Sequence, residues 1–389
     1  MIELEEQYGA HNYDPLNVVV ERAQGVWLYD VDGKRYLDCI SAYSAVNQGH
    51  SHPRIVSALK EQAERVSLVS RALRNARLGK YLEKLTTLCG YDMALPANTG
   101  VDAVETAIKL ARRWAYDVKG IAENAAPIIV FANNFHGRTI NAISASSDPK
   151  SRRAFGPFTP GFVNIPYGDA AALEAAITPQ TAAILIEPIQ GEGGVLVPPD
   201  GFLRAVRQLC TQRNVLFIAD EIQTGLGRTG DLFACDHEGV RPDVLVIGKA
   251  LGGGVYPVSA TLADRDLMLL FRPGEHGSTF GGNPLACAVA EAALDVIVEE
   301  RLPERARESG RFLRQRLDLL KTPTIKEVRG RGLLLGIQLD GSARAIAEAL
   351  LERGIVAKDT HEDVLRIAPP LIIERPELEM LAGALKDVL

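Results

Sequence analysis

The sequence predicts an α/β protein built on a mainly parallel sheet, and three observations predict it. Four short apolar runs, Ile128–Ala132, Ala182–Ile186, Val215–Ala219 and Val244–Ile247, are separated by stretches with helical spacing. Runs without polar alternation belong to strands covered on both faces, as in parallel sheets. Each run ends in polar residues: Asn133 to Arg138, Glu187 to Glu192, Asp220 to Gln223, and Gly248-Lys249. Ligands of open parallel sheets sit at those carboxyl ends.

The elements follow in chain order. "GVWLYDVDGKRYLDC" alternates and turns at Asp32-Gly33, the pattern of a hairpin. From about residue 50 helices alternate with the apolar runs. "NTGVDAVETAIKLARRWAY" places Asn98-Thr99-Gly100 before a helix with Val101, Val104, Ile108 and Ala111 on one face. After Pro284 comes the helical stretch "LACAVAEAALDVIVEERL", and "VRGRGLLLGIQL" reads as one strand of a terminal α+β segment. The expected division is 1–49 as the N-terminal part of a small domain, 50–284 as a large domain, and 285–389 as the rest of the small domain.

Composition narrows the function. The 389 residues are 47% hydrophobic and 24% charged, which is ordinary for a soluble globular protein. A net charge of −6 argues against nucleic acid or an anionic membrane as the main partner. No apolar run approaches the ~18 residues of a membrane span. "MIELEEQYGAHNYD" has neither an apolar signal region nor an Arg-rich transit pattern. The five scattered cysteines read as reduced thiols. A cytoplasmic protein is expected.

"FIADEIQTGLGRTG" spells G-x-G-x-x-G from Gly225 to Gly230. A dinucleotide turn needs its first glycine directly after the strand and a helix at its end. Here Glu221–Thr224 intervene and no helical period follows Gly230. Gly330-x-Gly332 fails the same test. In "GHSHP", His50 and His52 lack an accompanying cluster of acids or thiols, so a turn before a helix is expected and no metal.

Lysine and acids at one sheet edge suit pyridoxal phosphate, which needs a lysine to hold it and an acid facing its ring nitrogen. Lys249 and Asp220, at the ends of neighbouring runs, fit those two roles. Read singly, Asp220 is equally a helix cap or surface acid, and Lys249 a solvated lysine. Asn98-Thr99-Gly100 is either a phosphate cradle at a helix N-terminus or a plain cap. Ser278 and Thr279, in "GEHGSTFGGNP", offer hydroxyls as a second cradle.

These blocks, with "SAYSAVNQGHSHP", "NFHGRT", "EPIQGEGG", "GKALGGGVYPVSA" and "RIAPPL", give the chain its resemblance, from about Tyr8 to the C-terminus. It resembles the class III pyridoxal-phosphate-dependent aminotransferases, and "SAYSAVNQGH" is similar to their ornithine branch. The resemblance implies fold type I, a large cofactor domain with a mainly parallel sheet and a small α+β domain from both chain ends. It also implies a homodimer with shared active sites. By motif position Lys249 would hold the cofactor and Asp220 pair with the ring nitrogen. Gln223 would approach the ring hydroxyl, and Phe135 and Ile222 would sandwich the ring. Gly100 and Val101 would donate N–H groups to the phosphate, with Ser278 beside it and Thr279 reaching it from the partner subunit. Tyr43 and Arg138 would hold the head of ornithine. Arg366 would take the α-carboxylate of 2-oxoglutarate, with Glu192 covering it while ornithine is bound.

Two positions depart from that pattern. Arg74 stands where the ornithine branch carries an aromatic residue or histidine, and Ile367 follows Arg366 in place of phenylalanine. The implied activity is δ-amino transfer from L-ornithine to 2-oxoglutarate. The rivals are acetylornithine or 4-aminobutyrate as donor, a decarboxylase, epimerase or mutase on the same scaffold, and a non-catalytic protein.

Overall fold

The computed structural model describes residues 1–320 and 322–389. Near the N-terminus β1 (Val20–Gln24), β2 (Trp27–Asp30) and β3 (Arg35–Asp38) form an antiparallel meander. Its second turn carries Gly33 at φ +81°, a left-handed angle that glycine adopts without strain.

Seven strands make the central sheet: β4 (Met93–Ala97), β5 (Ile128–Phe131), β6 (Phe162–Ile165), β7 (Ala183–Ile186), β8 (Leu216–Asp220), β9 (Val244–Ile247) and β10 (Ser259–Ala263). Their order is β4-β10-β9-β8-β7-β5-β6, and only β10 runs against its neighbours. The expected mainly parallel sheet is therefore present. The four apolar runs are its centre, and alternation along them explains why they lack polar positions. Ile129, Phe131, Ile184, Ile186, Phe217 and Ile247 point into one core. Ile128, Val130, Leu185, Ile218, Val244 and Val246 point into another, on the opposite face. Each face is dry, so both phases of the strand period must be apolar.

Helices close the two faces. Helix Gly100–Asp117 buries Val104, Ile108 and Ala111 in the second core, as its spacing predicts. Helix Pro284–Glu299 starts at Asn283, whose side chain accepts from the Ala286 N–H at 2.8 Å, and packs into the first core.

The C-terminal part adds β11 (Ile325–Arg331), β12 (Leu334–Leu339), β13 (Ile355–Val356), β14 (Lys358–Thr360) and β15 (Val364–Ile367). "VRGRGLLLGIQL" is thus two antiparallel strands rather than one, and Gly332 (φ +55°) turns the chain between them. A side chain at Gly332 would begin 2.4 Å from the Thr229 carbonyl carbon. This close approach is one use of the glycine-rich stretches: the Gly225–Gly230 loop and the β11–β12 turn pack backbone to backbone. β13 pairs in parallel with β3, so the two chain ends share a sheet, while β11, β12, β15 and β14 form another.

His50 and His52 fall on side-chain partners, Asp38 at 2.8 Å and Glu300 at 2.9 Å, just before helix Pro53–Ala63. All five cysteines are free. Among the described residues no helix is long and apolar enough to cross a membrane.

Candidate active site

The carboxyl ends of β5, β7, β8 and β9 open onto one cavity of about 190 Å³. Asp220 is the last residue of β8, and Lys249 stands two residues beyond the adjacent β9. Gly100, Val101, Phe135, Ile222 and Gln223 line the cavity with them, and Glu192 closes one side. Eight of the residues singled out in the sequence therefore meet in one place.

The other predicted residues divide. Arg366, on β15, is buried and donates through Nη1 to Glu192 Oε1 at 2.5 Å. Its guanidinium lies 4.9 Å from the centre of the Tyr43 ring. Arg138 is exposed, 5.1 Å from the Phe135 ring centre. Ser278 and Thr279 lie on an exposed loop and do not line the cavity within one protomer. Ser278 Oγ instead accepts from Asn98 Nδ2 at 3.1 Å and from the Gly281 N–H at 2.9 Å. Arg74 is exposed and likewise lines neither this cavity nor the one beside it.

Backbone geometry fixes several of these side chains. Tyr43 sits in a run of four non-glycine residues with left-handed angles, Ser41 to Ser44, at φ 50°, 44°, 61° and 72°. Each costs about 1 kcal/mol or more, and such strain persists only where surrounding contacts impose it. Asp38 supplies two such contacts, accepting from the Ile40 and Ser41 N–H groups at 2.8 and 2.9 Å. Lys249 is itself left-handed, at φ +45°. Arg228 is wholly buried in the glycine loop and donates to the Leu333 and Pro369 carbonyls and to Asn47 Oδ1. It ties that loop to the segment following Arg366.

Two members of the cavity wall carry no role in the sequence reading. His136 is buried, with Nδ1 2.8 Å from Asp220 Oδ2 and Nε2 without a partner among the described residues. Burial opposes a charge on this ring, but Asp220 outweighs it and raises the imidazole above its usual range. Nδ1 therefore donates to the carboxylate. Glu187 accepts from the Phe135 N–H at 3.0 Å. Both follow strand ends, Glu187 directly after β7 and His136 in the loop after β5, the one signal the sequence offers; their partners depend on strand order.

The electrostatics follow from enclosure. Burial lowers the Lys249 amine, though Glu192 and Asp220 partly restore it. Burial pushes Glu192 up, but Arg366 and Lys249 prevail and hold it at about 2. Burial pushes Glu187 up to about 8, a shift that His136 only partly offsets. Below pH 4.5 the Glu187 proton is retained folded or unfolded. Between 4.5 and 8 only the unfolded chain releases it, so its stabilising contribution is lost as pH rises. Ligand-free Glu187→Gln should therefore gain stability relative to the parent from pH 5 to 8, by a few kcal/mol at the plateau (about 1.4 per unit). Thermal unfolding across pH 5–9 measures this, and parallel curves for the two proteins would refute it.

Comparison with known proteins gives a consistent picture. The family model for aminotransferase class-III matches residues 8–389. The ornithine aminotransferase of Geobacillus sp. (strain WCH70) is 57% identical over 388 residues, covering 100% of this chain and 98% of that protein. That of Brevibacillus brevis is 54% identical, with the same coverage of each chain. Among solved structures, the ornithine aminotransferase of Toxoplasma gondii superposes with a TM-score of 0.98 at 45% identity, over 100% of this chain and 92% of that one. An acetylornithine aminotransferase from Elizabethkingia anophelis superposes with a TM-score of 0.91 at 52% identity, over 100% and 97%.

Proposed function

From the premise that the chain belongs to the class III aminotransferases, we propose that it transfers the δ-amino group of L-ornithine to 2-oxoglutarate, yielding glutamate 5-semialdehyde and glutamate. It is a pyridoxal-phosphate-dependent transaminase, as that family is. The cavity suits the cofactor on physical grounds. Gln223 Oε1 and His136 Nε2 are buried polar atoms without partners among the described residues. A Cβ on Gly100 would crowd Ile222 at 3.0 Å, so glycine keeps the cradle open. The first N–H groups of helix Gly100–Asp117 lack helical acceptors and favour a dianion.

When bound, pyridoxal phosphate supplies an electron sink and a carrier for the amino group. The chain supplies the rest. Lys249 Nζ would hold the cofactor and, once released, move the proton at the amine-bearing carbon. Asp220, oriented by His136, would keep the ring nitrogen protonated. Phe135 and Ile222 would flank the ring, Gln223 would meet its hydroxyl, and Gly100 and Val101 would hold the phosphate. In a homodimer, Ser278 and Thr279 on their exposed loop would lie within reach of the partner's phosphate. The free cysteines support a reducing, cytoplasmic setting.

One observation carries the substrate reading: Tyr43 and Glu192 both bear on Arg366. Glu192 meets only Nη1, and Nη2 has no partner among the described residues. A substrate carboxylate that engages both nitrogens gains a bidentate pair that Glu192 does not make. The same arginine can thus be covered for ornithine and open for 2-oxoglutarate, with Arg138 holding the other end of each. The 52% identity to an acetylornithine aminotransferase supports a second reading, acetylornithine as donor. A donor panel with 2-oxoglutarate separates them. Ornithine should exceed acetylornithine and 4-aminobutyrate in kcat/KM by at least about tenfold, because a site built for a polar head group leaves its own groups unpaired with the wrong donor. Equal or better turnover of acetylornithine would establish the second reading instead.

A further inference from the structure

Glu192 Oε1 has two donors. Arg366 Nη1 is one, and Gln223 Nε2, at 3.0 Å, is the other. The two approach the same oxygen from opposite parts of the site, Arg366 from the C-terminal sheet and Gln223 from the loop after β8. The Glu192 backbone is pinned separately, because Thr360 Oγ1 donates to its carbonyl at 2.9 Å. A side-chain rotation that carries Oε1 off both donors is the motion that would uncover Arg366 while leaving the backbone in place.

Gln223 is itself held in place. It is buried, and a Cβ on Gly191 would lie 1.3 Å from its Oε1. Gly191 is not left-handed, so the absence of a side chain there is a matter of room for the carboxamide rather than of backbone conformation.

We propose that Gln223 is a positioning residue for the Glu192 cover: its amide holds the carboxylate on Arg366 and so sets the balance between donor and dicarboxylate. This rests on the reading of Arg366 as the carboxylate site. A hydrogen bond to a charged group is among the stronger ones in a protein, and it must be given up each time a dicarboxylate enters. Gln223 therefore disfavours 2-oxoglutarate without touching its carboxylate.

The test is the affinity of the resting holoenzyme for glutarate, a dicarboxylate with no keto group to react, measured by calorimetry. Gln223→Leu should bind glutarate about tenfold more tightly, the worth of one such bond. Gly191→Ala, which displaces the carboxamide without removing it, should move affinity in the same direction. Combined with Glu192→Ala, Gln223→Leu should add less than about twofold, because the group it acts through is gone. The proposal is overturned if Gln223→Leu leaves glutarate binding unchanged while Glu192→Ala tightens it, or if the Gln223 effect survives intact without Glu192. If Glu192→Ala itself has no effect, the carboxylate reading of Arg366 falls and takes this proposal with it. Cofactor absorbance of each variant identifies any loss of loading, and Gly191→Ala keeps the test decisive where Gln223→Leu loads poorly.

Discussion

Lys249→Ala is expected to lose transamination by at least about 10⁴-fold, because one side chain both holds the cofactor and moves the proton. The position explains the size of the effect. Lys249 is enclosed at the end of a central strand, and burial shifts its amine toward the neutral form that can attack and accept protons. Glu192 and Asp220 counter that shift, so the amine is tuned by two carboxylates rather than merely desolvated. The variant removes no hydrogen bond seen among the described residues, and its fold should persist. It should still take up pyridoxal phosphate, held by the cradle alone and therefore released on dialysis. Steady-state assays with ornithine and 2-oxoglutarate, with absorbance before and after dialysis, measure both effects. Turnover near the parent rate would remove Lys249 from the chemistry.

The site was partly legible in the sequence for a definite reason. Asp220 and Lys249 are displayed at strand ends by apolar runs that are unambiguous, since both faces of those strands are dry. Weaker strands are not legible in the sequence. β4, "MALPA", and β10, "SATLA", are built from small and mixed residues whose pattern does not distinguish strand from loop. The β11–β12 hairpin reads as one strand because Arg331-Gly332 lacks the Asn-Gly or Asp-Gly pair that marks a tight turn. Partnerships across the sheet were illegible for another reason. His136 follows β5 and Asp220 ends β8, with β7 between them, an order that no local spacing encodes. The left-handed run under Tyr43 was equally hidden, since Ser-Ala-Tyr-Ser carries no glycine to mark it. Motif resemblance nominated Gln223 and Glu192 separately, but the bond between them is a feature of the folded chain alone.

Asp220→Ala should reduce transamination by at least about 10³-fold, and it should also change stability in a pH-dependent way. The first effect follows from the proposed role at the ring nitrogen: without a carboxylate there, the ring becomes a poorer electron sink. The second follows from His136. Its ring is buried, bonded to Asp220 at 2.8 Å, and raised above its usual range despite burial. A histidine raised on folding contributes stability that is fully present below the unfolded value and is lost as pH rises through the folded one. Removing Asp220 should therefore cost most at acid pH, where a buried imidazolium would lose its counter-ion, a situation worth about 3–5 kcal/mol in comparable pairs. The cost should shrink as pH rises through the folded value, because an imidazole that has lost its proton no longer needs the counter-ion. Asp220→Asn separates the two roles, since it preserves shape and a possible hydrogen bond while removing the charge. If the carboxylate acts on the ring nitrogen, Asp220→Asn should be nearly as inactive as Asp220→Ala at every pH, including those at which its stability matches the parent. Single-turnover rates for the ornithine half-reaction at pH 6 and 9, beside thermal unfolding at the same values, make the comparison. An Asn variant that recovers activity in step with stability would reduce Asp220 to a partner for His136 and leave the ring nitrogen without its acid.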